Sequence, residues 1–102
     1  MEIKTLNDIF TLEKEDIEYE KKYAVVLYND DITPVEFVLI ILISVFQKSP
    51  QGAIELIDEI QDNGQGIAGI YGMDEAYEKL DALDRIKAEL NISLLATVEE
   101  VS

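Results

Sequence analysis

Asn29, Asp30 and Asp31 stand side by side in YNDDITPVEF, Tyr28 to Phe37, directly before the most apolar stretch of the chain. Carboxylates and a carboxamide so placed could start a helix, ligate a metal, work as an acid/base pair, or accept hydrogen bonds from a cation. The chain has no His and no Cys, which removes the commonest general base, the thiol nucleophile and the softer metal ligands. Ser44, Ser49 and Ser93 have no evident base to activate them. Adjacent acids on one turn do not flank a substrate bond from opposite sides, as paired-carboxylate hydrolysis requires. Neither this group nor Asp58, Glu59 and Asp62 has the spacing of a calcium loop. No catalytic residue, metal or cofactor is therefore expected. Two readings of Asn29-Asp30-Asp31 stay open: a turn that favours the helix start through its dipole, and acceptors aimed at a bound cation beside an apolar wall.

A second apparent motif has no such chemistry. NGQGIAG matches GxGxxG at Gly64, Gly66 and Gly69. A dinucleotide-binding loop follows a strand and opens a helix, whereas this one leaves a helix and enters a strand. These are read as turn and sheet-packing glycines.

The elements that must carry these residues are legible from pattern. Tyr23 to Tyr28 (YAVVLY) reads as a strand stopped by the acidic turn. Thr33, Pro34 and Glu36 spell a capping box, with Thr33 as N-cap, so the β-branched run that follows is expected to be helical. In that helix Val38, Leu39, Leu42 and Val45 would face inward, leaving Ile40 and Ile43 outside. Ser49 and Pro50 restart the chain in a second helix, with Ala53, Ile54, Ile57 and Ile60 or Gln61 on one side and Asn63-Gly64 as its stop. QGIAGIY is a second strand. Met73 to Leu90 is an amphipathic helix with Ala76, Leu80, Leu83, Ile86 and Leu90 inward, and Ile92 to Val98 is a third strand. The expectation is an α+β domain of order β-α-α-β-α-β: a three-stranded antiparallel sheet with helices on one face.

At 102 residues and 48% apolar composition, one globular domain fits residues 21–102. Residues 1–20 carry seven acids against two lysines and read as a flexible acidic arm. A net charge of −14 argues against nucleic acid and against anionic lipid as partners. MEIKTLNDIF lacks the features of a signal peptide, and the apolar stretch Val35 to Phe46 is too short to cross a bilayer. A cytoplasmic protein is the expectation.

Y-x-V-V-L-Y-N-D-D-x-T-P-V-E-F-V, followed by GIAGIYGMDEAYEK and LLATVEE, closely resembles the ClpS family over about residues 22–100. That family brings N-degron substrates to the ClpA or ClpC unfoldase of a bacterial AAA+ protease. It binds the first residue of a protein when this is Leu, Phe, Tyr or Trp. The resemblance implies that Asn29, Asp30 and Gln61 hold the substrate α-amino group. It also implies that Ile32, Thr33, Val35, Val38, Ile57, Ile60 and Leu94 line the side-chain pocket. Asp74 and Lys79 fall where the family touches the N-terminal domain of the unfoldase.

Departures from the family pattern bear on these roles. Gln61 replaces a usual histidine, Val35 and Ile57 replace common methionines, and Asp74 shortens a usual glutamate. Ile40 and Ile43 stand where the family has polar residues, so weak self-association of a monomer is a hypothesis for that face. Rival readings are a divergent relative that docks on the unfoldase without degron binding, a structural module like the C-terminal domain of the ribosomal stalk protein, and a small acidic hydrolase using Asp30 and Asp31.

Overall fold

The computed structural model describes residues 21–101, and the expectation of a flexible arm over residues 1–20 lies outside them. The order is β1 (Lys22–Tyr28), α1 (Val35–Ser44), α2 (Pro50–Asn63), β2 (Gln65–Tyr71), α3 (Met73–Leu90) and β3 (Ala96–Val101). The strands form an antiparallel sheet in the order β2-β1-β3, as the pattern of elements predicts. Because β1 is central, its Ala24, Val25, Val26 and Leu27 are all buried, which suits a run of small and β-branched residues. Val25 and Leu27 point to the core with Ile41 and Leu42 of α1, Val45 and Phe46 just past its end, Ala53 and Leu56 of α2, and Ala76 and Leu83 of α3. Ile67 and Ile70 of β2 stay exposed: Ile67 lies between the buried Gly66 and Ala68, and Ile70 pairs with Ala24 beyond the register slip.

The glycines of β2 serve packing, as expected. A Cβ on Gly66 would come within 2.8 Å of Ile60 Cγ1 and 3.0 Å of Leu56 Cδ1, so α2 lies on the strand at a distance only glycine permits. The register slips between Val25 and Val26, where Val25 faces Gly69 and Val26 faces Ile67. Ala68 is the extra residue of this bulge, and it too is buried in the core.

Three local expectations need correction. The capping box does not form: Pro34 is extended (φ −60°, ψ 142°) and occupies the N-cap position itself, with no side-chain cap. The helix therefore starts one residue later than the box requires, and the Thr33 hydroxyl donates to Asp30 instead. β3 begins at Ala96 rather than Ile92. The register pairs Leu27 with Ala96, which puts residues 92–94 opposite residues 29–31, and those are already bent into the turn. The buried side of α2 is Ala53, Leu56, Ile57 and Ile60, while Ile54 is exposed; Leu90, the last residue of α3, is exposed as well.

The other ends behave as the sequence suggests. Ser49 Oγ accepts from the Gly52 N–H at 3.0 Å, Pro50 opens α2, and Gly64 ends it in the left-handed region at φ 87°. Asn91 ends α3 in the same conformation at φ 57°. On α1, Ile40 and Ile43 are exposed and Leu42 buried, as expected, as is Val45 just past the helix end, while Val38 and Leu39 are half-buried.

Candidate functional site

Three segments meet where β1 ends. The Tyr28 N–H donates to the Leu95 carbonyl at 3.0 Å, and the Asn29 N–H donates to the Gly64 carbonyl at 2.9 Å. The acidic turn is thereby fastened to the approach to β3 on one side and to the end of α2 on the other. Both bonds continue the sheet registers for a residue past their strands, so the sheet itself sets where the turn stands.

Within the turn, Asp30 is bound on both oxygens. Oδ1 accepts from the Ile32 N–H at 2.8 Å, and Oδ2 accepts from the Thr33 hydroxyl at 2.6 Å and the Ser93 hydroxyl at 2.9 Å. The Thr33 hydroxyl and then the Ile32 N–H hold the Asp30 carboxyl below its usual range; burial opposes them less strongly, and Ser93 adds a smaller lowering still. An ionised carboxylate offers about four acceptor directions, so three bound donors leave one for a ligand. Asp31 is exposed and makes none of these contacts.

Beside this carboxylate is a small cavity of about 40 Å³, lined by Tyr28, Asn29, Asp30, Thr33, Val35, Val38, Ile57, Ile60, Gln61 and Leu94. Its wall is apolar, with Ile57, Ile60 and Leu94 buried, and its polar groups gather at Asn29, Asp30, Thr33 and Gln61. Such a site suits a ligand with a cationic end and an apolar end. A hydrolytic role would need a second group facing the carboxylate across a bond.

The residues singled out from the sequence are largely brought together. Ile32 is the exception: it is 80% exposed and absent from the lining, because Asp30 holds its backbone N–H and the side chain turns to solvent. Tyr28 and Ser93 were not singled out for the site. Tyr28 follows the strand alternation. Ser93 could have been found by extending the Leu27–Ala96 pairing, which sets it opposite Asp30.

Asp74 and Lys79 lie elsewhere, on α3. Asp74 is exposed in the first turn. Lys79 is half-buried: its Nζ donates to the Val45 carbonyl at 2.9 Å and to Gln47 Oε1 at 2.7 Å, and it lies 5.6 Å from the centre of the Tyr71 ring. Desolvation, and then the Glu75 charge, raise the Tyr71 hydroxyl above its usual pKa. Among the described residues, no group of three or more acids could hold a metal, and no helix is long and apolar enough to cross a membrane.

The chain is similar to known proteins over most of its length. The family model described as "ATP-dependent Clp protease adaptor protein ClpS" matches residues 18–97. A curated ATP-dependent Clp protease adapter protein ClpS of Clostridium acetobutylicum is 40% identical over 101 residues, covering 99% of this chain and all of that one. One from Campylobacter jejuni is 38% identical over 90 residues, covering 88% of this chain and 94% of that one. Among solved structures, Agrobacterium tumefaciens ClpS2 bound to L-phenylalaninamide superposes with a TM-score of 0.76 at 29% identity. That match covers 80% of this chain and 99% of the other.

Proposed function

The chain belongs to the ClpS family of Clp protease adaptors, and from that premise we propose that it is a non-catalytic receptor for N-degrons. It binds the free α-amino group and the bulky apolar first side chain of a substrate, Leu, Phe, Tyr or Trp, and delivers it to a Clp AAA+ unfoldase in the cytoplasm. Asn29, Asp30 and Gln61 receive the ammonium, and Val35, Val38, Ile57, Ile60 and Leu94 receive the side chain. Asp74 and Lys79 contribute to docking on the N-terminal domain of a ClpA- or ClpC-type unfoldase.

The observation that carries this reading is one ionised, hydrogen-bonded carboxylate at the edge of an apolar cavity. L-phenylalaninamide, the ligand of the similar ClpS2, has that same pairing of a free amine and an apolar side chain. An ammonium about 4 Å from a carboxylate gains a gross ~4 kcal/mol at an effective dielectric near 20. An apolar side chain burying about 150–200 Å² adds roughly 4–5 kcal/mol. Association costs remove much of that sum, so neither half suffices alone and micromolar binding is the expected scale.

Fluorescence anisotropy with Leu-, Phe-, Val- and Met-initiated peptides, each with a free and an acetylated amine, tests the reading. The free amine is expected to be required. Binding that survives acetylation refutes the amine site. No binding to any peptide favours the relative that docks without taking a degron.

A further inference from the structure

Ser93 is the donor to Asp30 that comes from far along the chain. Thr33 and Ile32 belong to the same turn as the carboxylate they bind, whereas Ser93 reaches it across 63 residues, from the segment between α3 and β3. The next residue, Leu94, is 2% exposed and lines the cavity. One short segment thus touches both halves of the site, the carboxylate through a hydroxyl and the apolar pocket through a side chain.

The β1–β3 register explains the arrangement. Val25–Val98, Val26–Thr97 and Leu27–Ala96 are successive antiparallel partners, and three steps further the same count brings Asp30 opposite Ser93. Both chains have left the sheet by then, so backbone bonds no longer hold them at this level. The hydroxyl–carboxylate bond takes over. Without it, the start of the turn is still held by the Tyr28–Leu95 and Asn29–Gly64 backbone bonds, but the Asp30 carboxylate keeps donors from its own turn alone and nothing ties it directly to the segment that carries Leu94.

We infer that Ser93 is a positioning residue of the amine site: its hydroxyl ties Asp30 Oδ2 to the Leu94 segment, so that ammonium acceptor and apolar pocket are held at one fixed separation. This rests on the N-degron reading above. A ligand whose amine and side chain leave the same carbon cannot adapt to a changed separation, so the bond acts on affinity through the amine.

The test compares wild type, Ser93→Ala and Ser93→Thr in anisotropy binding of two peptides. One begins with leucine and a free amine. The other begins with a 4-methylpentanoyl group, which keeps the side chain and lacks the amine. Ser93→Ala is expected to weaken the free-amine peptide about three- to tenfold, the scale of one ordinary net hydrogen bond, and to leave the much weaker binding of the amine-free peptide, read at high protein concentration, unchanged. Ser93→Thr keeps the hydroxyl and, at an exposed position, is expected to return affinity to within about twofold of wild type. Unchanged affinity in Ser93→Ala overturns the inference. So does an equal loss for both peptides, or a loss that Ser93→Thr does not restore. A wild-type chain that binds both peptides alike overturns the N-degron reading and this inference with it, so the two failures are told apart.

Discussion

The Asn29 N–H donates to the Gly64 carbonyl, joining the first residue of the acidic turn to the glycine that ends α2. That single bond sets the amine-binding side of the site against Ile57, Ile60 and Gln61 on the helix. Gly64 is there because its φ of 87° is the left-handed conformation, and a Cβ at this position would meet nothing within 4 Å. Gly64→Ala therefore costs backbone strain without a clash, about 1–2 kcal/mol of stability. Urea unfolding should show a lower midpoint with an unchanged slope, and Gly64→Asn should lose less, since asparagine tolerates this region better.

The pH dependence of peptide binding follows from Asp30 and from the absence of histidine. The Asp30 pKa is lowered from its usual 3.8 by the Thr33 and Ile32 donors, so the group is ionised throughout the neutral range. A peptide α-amine titrates near roughly 7.7–8.0, so lowering pH from 8 to 6 fills the cationic form and raises affinity slightly. No transition near pH 6.5 is expected, because Gln61 cannot titrate. Affinity is lost only as Asp30 itself takes a proton, below its usual value. The same depressed pKa contributes folding stability that is present above about pH 3.8 and is lost as pH falls through the folded-state value. Anisotropy from pH 8 down to about pH 2.5, with urea unfolding over the same range, checks both signs; a drop in affinity centred near pH 6.5 would contradict them.

Selectivity for the first side chain should differ from that of a methionine-walled pocket. Val35 and Ile57 are β-branched and hold few rotamers, and the cavity between them is only about 40 Å³. Walls of this kind reshape poorly around a large ring and match a compact or branched side chain. Val- and Ile-initiated peptides are expected to bind within about tenfold of Leu, and Val35→Met with Ile57→Met is expected to move preference towards Phe, on the scale of one or two buried methylenes. Val and Ile peptides that bind no better than an Ala-initiated control would disprove it.

How much of this was legible in the sequence depended on whether the signal was local. Ser49-Pro50 and Gly64 act within a turn of where they stand, and the bounds of α2 followed from them. Pro34 shows the limit: a threonine, a proline and a glutamate at capping-box spacing are compatible with a helix starting at either Pro34 or Val35. The choice fell to Asp30, which takes the Thr33 hydroxyl. The start of β3 was misplaced for a related reason, since Ile92 to Leu95 has strand propensity but its partner strand has already turned away. The cavity-lining residues on α1 and α2 were legible from the family resemblance. Ser93 was not, because its role depends on register between segments 63 residues apart.

Lys79 and Asp74, paired in the expectation that both meet the unfoldase, should separate by experiment. The Lys79 ammonium binds the Val45 carbonyl, just past α1, and Gln47 Oε1, where Gln47 sits in the left-handed region at φ 53°. A cation at a helix C-terminus satisfies carbonyls that have no intrahelical partner and interacts favourably with the helix dipole. Lys79→Met keeps much of the aliphatic stem and removes the charge and its donors. Discounted for its partial exposure, the loss is about 1 kcal/mol, visible as a lower unfolding midpoint. Asp74 is exposed near the start of α3, so Asp74→Asn should leave that midpoint within about 0.5 kcal/mol of wild type. If both residues dock, both variants weaken binding to an isolated ClpA- or ClpC-type N-terminal domain. Lys79→Met then loses stability as well, and Asp74→Asn does not. Unchanged stability in Lys79→Met would show that its ammonium is not needed to hold the end of α1, leaving docking as its role.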